Sequence, residues 1–337
     1  MRTKKLKTRT AAALLAIFLL LALCPAAVFA AEGEVRIGSL EDLRAFAGAC
    51  ASDSYSAGLR VTLIADIDAA GEDISVPVFL GSFDGRGYRI YGLRITRSAS
   101  DLGLFSRIGA GASVKNLRVE GEVIPSGSQS RVGGIAGENL GTIENCSFSG
   151  VVSAAEKVGG VAGSNGESGL ISGCTVSGVV RGTESTGGVV GFSTGTLLKC
   201  ASHASVNTTV SEEDLLAAEL EDLESTVVAL LTQQESTGSE NPVTDDTGGV
   251  CGYSTGIMQG CTNYGSVGYP HVGYNVGGVV GRQNGYMAAC TNYGAVQGRK
   301  DVGGVVGQMA PDITLMLSAD GLAELQTELN RLDELLD

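Results

Sequence analysis

Histidine and cysteine, which most often serve as metal ligands or nucleophiles, occur here in patterns that fit few kinds of chemistry. The chain has two histidines, His203 and His271, and neither lies in an H-E-x-x-H sequence, the signature of one class of catalytic zinc site. His203 lies in a short run typical of a strand, and His271 lies in the loop sequence GYPHVGYN. We predict that both are surface residues, and we predict no catalytic residue, no metal ligand and no cofactor.

Five of the eight cysteines occupy one position of an internal repeat. No C-x-x-C sequence is present, so the spacing of zinc-ribbon ligands is missing. Two alternatives remain: the thiols pack in the core as small apolar side chains, or some neighbouring thiols form disulfides. Leucine fills the same position in the first repeat, which favours packing, while Cys50 and Cys251 lie outside the pattern. The predicted core ladder comprises Leu117, Cys146, Cys174, Cys200, Cys261 and Cys290.

Carboxylates offer two further candidate sites. Residues 66–71, DIDAAG, begin like a calcium-binding loop, but Ala70 and Pro77 stand at two of its ligand positions and provide no side-chain oxygen. Asp84 lies in SFDGRGY, where Asp-Gly indicates a turn, and a catalytic carboxylate is the alternative. Cleavage of a glycoside needs two carboxyl groups that face one bond, and the acids of residues 133–206 stand at unlike repeat positions. We therefore predict no carboxylate pair.

The best candidate contact surface is aromatic. The sequences CTNYGSV and CTNYGAV begin at Cys261 and Cys290 in neighbouring repeats. If these cysteines point inward, strand alternation directs Tyr264 and Tyr293 outward, side by side on the surface. Such a pair is suited to bind a sugar ring or a protein partner; the alternative is that it only shields the sheet.

A repeated glycine motif indicates which secondary structure elements position these residues. A G-G-apolar-apolar-G unit recurs six times at intervals of 26 to 29 residues, except for one interval of 61 that contains an insertion. Apolar runs of only four to six residues, separated by Gly, Asn and Ser, indicate short strands. A repeat of this length fits one coil of a solenoid that buries its apolar side by stacking. The structural glycines are Gly133, Gly134, Gly137, Gly159, Gly160, Gly163, Gly187, Gly188, Gly191, Gly248, Gly249, Gly252, Gly277, Gly278, Gly281, Gly303, Gly304 and Gly307.

We predict an all-β fold, a right-handed parallel β-helix of about seven coils over residues 102–310. The unit GG-I/V-A/V-G, followed by N-x-G-x-I-x-N-C and then G-x-V, resembles the GLUG motif of bacterial surface and secreted proteins. The resemblance spans about residues 59–310 and implies a β-helix. That family occurs in adhesins and ahead of the catalytic part of immunoglobulin A-cleaving peptidases, and it is not linked to one reaction.

Residues 1–30 have the pattern of a secretory signal peptide. A basic start, a short apolar run and the small-residue end Val28-Phe29-Ala30 are typical of such a segment and too short for a membrane span. Cys24 raises the alternative of a lipoprotein, but Leu23 stands before it where a small residue is expected. The pattern predicts a secreted or cell-surface protein with no transmembrane segment.

Three further segments lie around the repeats. Residues 31–101 are predicted to form an N-terminal cap and lead-in strands, with a short helix that Ser39 caps. Residues 207–247 contain eleven acids and no base, which indicates a solvated insertion with an amphipathic helix. Residues 311–337 resemble the start of a coiled-coil helix that continues in a longer chain.

Charge narrows the class of partner. The net charge is −14, so nucleic acid, which needs clustered Lys and Arg, is excluded as a partner. We predict a non-catalytic structural or adhesive module of an exported bacterial surface protein, with a host or bacterial surface glycan or protein as partner. The alternatives are a carbohydrate-active β-helix enzyme and the non-catalytic front part of a secreted peptidase.

Overall fold

The computed structural model describes residues 33–52, 54–209 and 244–310. All ladder pairings between the strands of this part are parallel, and they form four sheets that the chain visits in turn. A parallel β-solenoid, as predicted, is thereby confirmed; its right-handed winding stays a prediction. The predicted signal peptide, nearly all of the acidic insertion and the C-terminal helix lie outside the described residues.

Sheets I and II hold the two strands of each glycine unit. Strands are numbered in chain order. Sheet I consists of β10 (Ser130–Gly133), β14 (Glu156–Gly159), β18 (Glu184–Gly187), β22 (Asp245–Gly248), β26 (Tyr274–Gly277) and β30 (Lys300–Gly303). Sheet II consists of β4 (Val76–Phe79), β7 (Phe105–Ile108), β11 (Ala136–Asn139), β15 (Ala162–Asn165), β19 (Val190–Ser193), β23 (Cys251–Ser254), β27 (Val280–Gln283) and β31 (Val306–Met309).

Sheets III and IV hold the second half of each coil. Sheet III consists of β1 (Glu34–Ile37), β2 (Arg60–Leu63), β5 (Ser82–Asp84), β8 (Ser113–Lys115), β12 (Thr142–Glu144), β16 (Leu170–Ser172), β20 (Thr196–Leu198), β24 (Ile257–Gln259) and β28 (Tyr286–Ala288). Sheet IV consists of β3 (Ile67–Asp68), β6 (Arg89–Ile95), β9 (Arg118–Val123), β13 (Ser147–Ser153), β17 (Thr175–Arg181), β21 (Ala201–Val206), β25 (Thr262–Asn263) and β29 (Thr291–Asn292).

The solenoid has about nine turns, so the predicted count of seven was too low. Sheet III alone contains nine strands, and it begins at β1, well before the first glycine unit. Sheet I has no strand before β10, so the first turns are shorter and lack the sequence unit by which turns were counted. Their strands nevertheless pair with the later ones, as Phe83 opposite Val114 shows, with one register shift between Ile90 and Leu93 of β6.

The three glycines of a G-G-x-x-G unit permit three different close contacts. A Cβ atom on Gly187 would lie 2.1 Å from the carbonyl oxygen of Val190 in the same unit. One on Gly188 would lie 2.2 Å from the carbonyl oxygen of Gly249 in the next coil. One on Gly191 would lie 2.3 Å from the carbonyl carbon of Lys157 in the preceding coil. Side chains at these positions would separate the coils, so the motif is explained by backbone contacts.

A single α-helix in the described residues, α1 (Leu40–Ala49), covers the N-terminal end of the core. Ser39 is its N-cap, and the Ser39 hydroxyl accepts a hydrogen bond from Asp42 N at 3.1 Å. The buried face of the helix includes Leu43 and Phe46, and the Phe46 ring lies 6.2 Å from that of Phe79. No helix of the described residues is long and apolar enough to cross a membrane.

The acidic insertion leaves and rejoins the solenoid at neighbouring points. Asn207 Nδ2 donates to Thr247 Oγ1 at 3.0 Å, and Asn207 Oδ1 accepts from Gly182 N at 2.9 Å. Strand β22 already begins at Asp245. The boundaries 207–247, drawn from acidic composition, are therefore too wide, because residues 207 and 245–247 hold coil positions that composition does not reveal.

Candidate functional site: an exposed aromatic stack

Three aromatic rings from consecutive coils, one in β21 and two directly after β25 and β29 of sheet IV, form one stack on the outer surface. The ring centroids of His203 and Tyr264 lie 4.6 Å apart with planes 5° from parallel. Those of Tyr264 and Tyr293 lie 5.3 Å apart at 11°. Tyr264 is 49% exposed and Tyr293 is 70% exposed. The structure thus places the two predicted tyrosines side by side on the surface and adds a histidine to them.

The sequence N-Y-G holds each tyrosine in place. Asn263 is buried, and its Oδ1 accepts a hydrogen bond from Gly265 N at 3.1 Å. Asn263 Nδ2 also donates to Asn292 Oδ1 in the next coil at 2.8 Å, so the inner amides form a ladder beneath the outer rings. A Cβ atom on Gly265 would lie 1.9 Å from the carbonyl oxygen of Ala204 in the preceding coil. Each tyrosine is therefore fixed at the tip of a tight turn by an inward asparagine and a glycine.

The stack is suited to binding rather than to acid–base catalysis. Tyr264 and Tyr293 are both exposed, and Tyr293, the last ring, belongs to the last coil of sheet IV in the described residues. Aromatic rings combine a large apolar contact area with a polar tip. Sequence analysis predicted His203 only as a surface residue on a strand and did not join it to the tyrosines, because only the register of adjacent coils brings the rings together.

The structure places the predicted ladder residues together in the interior. Leu117 is fully buried, and the thiol of Cys174 donates to Ser172 O at 3.5 Å. The residue before each ladder position often adopts a positive φ, for example 52° at Asn145 and 50° at Lys199, which turns the chain at this corner. The thiols are free; four are buried and the last is half-buried, in the order Cys146, Cys174, Cys200, Cys261 and Cys290.

Hydrogen bonds along the ladder shift the pKa values of neighbouring thiols in opposite directions. The bond with Cys174 lowers the pKa of Cys146, and the bonds with Cys174 and Cys261 lower that of Cys200. Hydrogen bonding with Cys200, together with burial, raises the pKa of Cys261 to about 12. Hydrogen bonding with Cys261 and then burial also raise the pKa of Cys290. Because reaction also requires access to the thiol and four of the five ladder thiols are buried, these cysteines fit a packing role.

We expect alkylation to distinguish the end of the ladder from its interior. In the native protein at pH 8, iodoacetamide should label Cys290 at least about tenfold faster than Cys174 or Cys200, because only Cys290 is partly accessible. Peptide mass spectrometry of samples quenched over time measures the rates, with urea-unfolded protein as the control for equal reactivity. Equal labelling of all five ladder cysteines in the folded protein would contradict the inward placement.

The remaining predicted alternatives occupy structural positions. Asp84 Oδ1 accepts hydrogen bonds from Arg86 N at 2.9 Å and Asn116 Nδ2 at 3.0 Å. Burial acts to raise the pKa of Asp84, but these bonds and nearby Lys115 lower it overall, which suits a turn carboxylate and not a general acid. His271 lies exposed in its loop with a φ of 59°. In the described ranges, no group of three or more His, Cys, Asp or Glu side chains is arranged to hold a metal ion.

Comparison with known proteins identifies the repeat. Residues 128–153 match the family model described as the GLUG motif. The chain carries the GLUG motif. The matched residues run from just before β10 to the end of β13 and so correspond to one complete coil. The other G-G-x-x-G units pair with this coil in the same register.

Two similar proteins are much longer than the segment that aligns with this chain. Halomucin of Haloquadratum walsbyi is 31% identical over 156 residues, which cover 42% of this chain and 2% of that protein. A candidate Gly-rich membrane protein of Evansella cellulosilytica is 41% identical over 71 residues, which cover 20% of this chain and 8% of that protein. A crystal structure of a candidate immunoglobulin A1 protease from Bacteroides ovatus aligns over 80% of this chain and 70% of its own, with 16% identity and a TM-score of 0.41.

A second row of side chains on the GLUG coils was missed by sequence reasoning. Lys157 Nζ lies 5.5 Å from the ring centroid of Phe192, whose ring lies 5.3 Å from that of Tyr253. Arg282 Cζ lies 5.3 Å from the Tyr253 ring on its other side. Phe192, Tyr253 and Arg282 each directly follow the last glycine of their unit, and this shared position was the available signal. Cation–π contacts of this kind tie neighbouring coils together.

This row ends in a pair of acidic residues, of which Asp246 is buried and Asp245 is partly exposed. Arg282 Nε lies 2.9 Å from Asp246 Oδ1, and Asn275 Nδ2 donates to Asp245 Oδ1 at 2.7 Å and to Asp246 Oδ1 at 2.9 Å. Asp246 is only 3% exposed. Burial, followed by repulsion from Asp245, raises the pKa of Asp246 to about 6 despite the Arg282 guanidinium.

We expect Asp246→Asn to stabilise the protein at neutral pH. The folded-state pKa of Asp246 lies above the unfolded value of 3.8, so the fold disfavours the ionised form, and stability is lost as the pH rises from about 4 through 6. At pH 7.5 the substitution should raise the free energy of unfolding by about 3 kcal/mol, and at pH 4 by less than about 1 kcal/mol. Urea titrations at both pH values measure this, with exposed Glu144→Gln as the flat control. A gain that is equal at pH 4 and 7.5 would show that ionisation is not its cause.

Proposed function

We propose that this chain is a non-catalytic structural or adhesive module of an exported bacterial surface protein. The observation that carries the proposal is a solenoid of GLUG coils in continuous register that holds an aromatic stack, fixed and exposed, on one face. Stacked coils hold surface residues at constant spacing, and extended solenoid faces are used for binding in many repeat proteins.

Three observations support it. One relative is named as a membrane protein, and the N-terminal pattern of the chain is that of a secretory signal. The carboxylates named as candidates in the described ranges accept hydrogen bonds or form ion pairs, as Asp84 and Asp66 do. Binding requires only a rigid surface, whereas hydrolysis of a glycoside requires two carboxyl groups that face one bond.

The test has a location arm and an adhesion arm. The full chain is expressed in a bacterium and followed by protease accessibility on intact cells and by the mass of the mature N-terminus. A chain that lacks residues 1–30 is the control. We expect cleavage near Ala30, and exposure to protease or release into the medium only with the leader present. Retention of the full chain in the cytoplasm would contradict the proposal.

In the adhesion arm, beads coated with the purified protein are mixed with bacterial and epithelial cells, and attachment is counted. Beads coated with urea-unfolded protein are the control, because adhesion by a rigid surface requires the folded coils. Adhesion that survives unfolding would show nonspecific stickiness. Absence of adhesion to every cell type would leave the structural role alone.

A further inference from the structure

The outer face of sheet IV changes character along the solenoid. Its upstream strands β6 and β9 are charged and ion-paired, with Arg89 Nη1 3.5 Å from Glu120 Oε1 and Arg94 Nε 3.6 Å from Glu122 Oε2. In the five strands from β13 to β29, by contrast, Arg181 at the end of β17 is the only Asp, Glu, Lys or Arg. In a protein of net charge −14, a face of five strands that carries only one charged residue is a distinct surface.

Hydroxyl groups and aromatic rings take the place of the charges. The column that Glu120 occupies upstream continues as Ser149, Ser177 and His203 in successive coils and then as the two stacked tyrosines. The hydroxyls of Ser149 and Ser177 lie 3.1 Å apart. The neighbouring column holds Ser147, Thr175, Ala201, Thr262 and Thr291. The face therefore offers donors and acceptors of hydrogen bonds on one side of an aromatic strip.

We propose that this face, from β13 to β29, binds an uncharged polysaccharide, with the His203–Tyr264–Tyr293 stack as the main contact. The proposal rests on the adhesive form of the function proposed above and names its ligand class. Sugar rings have apolar C–H faces that pack on aromatic rings and hydroxyls that hydrogen-bond to Ser, Thr and Tyr.

The scarcity of charged residues on this face favours a neutral polysaccharide over a charged ligand. An acidic glycan finds no cation on this face apart from Arg181 and is repelled by the net negative charge. A charged peptide would leave its ionised groups desolvated without partners, at a cost of affinity. A neutral glycan incurs neither cost.

The geometry limits the entropy that binding would lose. The tyrosines are already held at the tips of turns by Asn263 and Asn292, whose Oδ1 atoms accept hydrogen bonds from Gly265 N and Gly294 N at 3.1 and 3.0 Å. Side chains that are ordered before binding lose less freedom when the ligand arrives.

Affinity electrophoresis of the intact protein tests the proposal. Native gels contain dextran, galactomannan, xyloglucan or mixed-linkage β-glucan as neutral probes, or polygalacturonate as the acidic probe. We expect retardation by at least one neutral probe and none by polygalacturonate. Tyr264→Ala and Tyr293→Ala should each weaken binding by about tenfold or more, the equivalent of about 1.4 kcal/mol.

Two pairs of variants separate this face from the rest of the surface. Tyr286→Ala, on sheet III and 62% exposed, should leave binding unchanged while Tyr293→Ala weakens it. Thr291→Glu, which adds a charge beside the stack, should weaken binding, while Thr255→Glu on another exposed position should not. Circular dichroism confirms that each variant is folded.

Three results would overturn the proposal: no retardation by any neutral probe, equal retardation by polygalacturonate, or equal loss of binding in Tyr286→Ala and Tyr293→Ala. If bead adhesion persists in Tyr293→Ala and is abolished by protease treatment of the target cells, the partner is a protein and the ligand class is wrong. The adhesive module would then stand without its glycan. If retardation is seen but the chain stays in the cytoplasm, the exported role fails and the glycan face stands.

Discussion

Replacing Cys174 by Asp is expected to unfold the solenoid or to lower its free energy of unfolding by more than about 4 kcal/mol. Cys174 is fully buried, and the thiol has thiol neighbours above and below it in the ladder, so a carboxylate there finds no cation. The ladder itself raises the pKa of Cys174, first through hydrogen bonds with Cys146 and Cys200 and then through burial. Burial opposes an ionised carboxylate as it opposes a thiolate.

The matched controls are Cys174→Ala and Cys174→Val, which keep the position apolar. Each should cost only about 1–2 kcal/mol, from a small void in the first case and from tighter packing in the second. Urea unfolding followed by far-ultraviolet circular dichroism measures all three variants. If Asp is tolerated as well as Ala, the ladder position is open to water and the core assignment is wrong.

Replacing Gly188 by Ala is expected to cost about 3 kcal/mol or more, although only one methyl group is added. The new Cβ would lie 2.2 Å from Gly249 O in the next coil and 2.2 Å from Ser202 Oγ across the interior. Neither backbone can withdraw without breaking the parallel ladders on both sides, so the strain spreads over two coils.

The last glycine unit offers a matched control at the same motif position. Gly304 is the second glycine of its unit, but a Cβ there meets nothing within 4 Å. Gly304→Ala should therefore be neutral or should stabilise by up to about 1 kcal/mol through a less flexible unfolded chain. Comparison of the two urea midpoints tests the contact explanation. Equal destabilisation by both substitutions would mean that glycine is required by backbone conformation and not by space.

The fold could be inferred from the chain because each coil repeats the same local instructions. Strand length, glycine spacing and the inward positions recur every 26 to 29 residues, and parallel stacking of identical units puts equivalent residues opposite each other. The pairing of Cys146 to Cys174 and of Tyr264 to Tyr293 needed no information beyond the register. The early strands were predicted only as a cap and lead-in, and not as turns of the solenoid, because they lack the glycine unit, although they bury large apolar residues such as Phe79 and Phe83 in the same core.

Only part of the candidate site, the outward direction of the tyrosines, could be predicted from the sequence. Strand alternation directs Tyr264 outward, because side chains point to opposite faces with a period of two. It does not reveal that a histidine and a tyrosine separated by an insertion lie in adjacent coils with rings 4.6 Å apart. That contact depends on the closure of the insertion by Asn207 and Thr247, which restores the register after a long interruption.

What the sequence determined by itself was local and periodic: the strand class, the inward cysteines, the outward tyrosines and the glycines that bring coils together. Tertiary structure alone decided where non-periodic residues fall. Asp246 looked like one more acid of a solvated insertion, but it lies buried against Arg282 with a pKa raised to about 6. The face of sheet IV with only one charged residue likewise arises only when strands up to 145 residues apart lie in one sheet. The physical reason is that the period of the apolar residues specifies which side of a strand is buried. Which side chains become neighbours in adjacent coils depends instead on the number of residues in each turn of the solenoid.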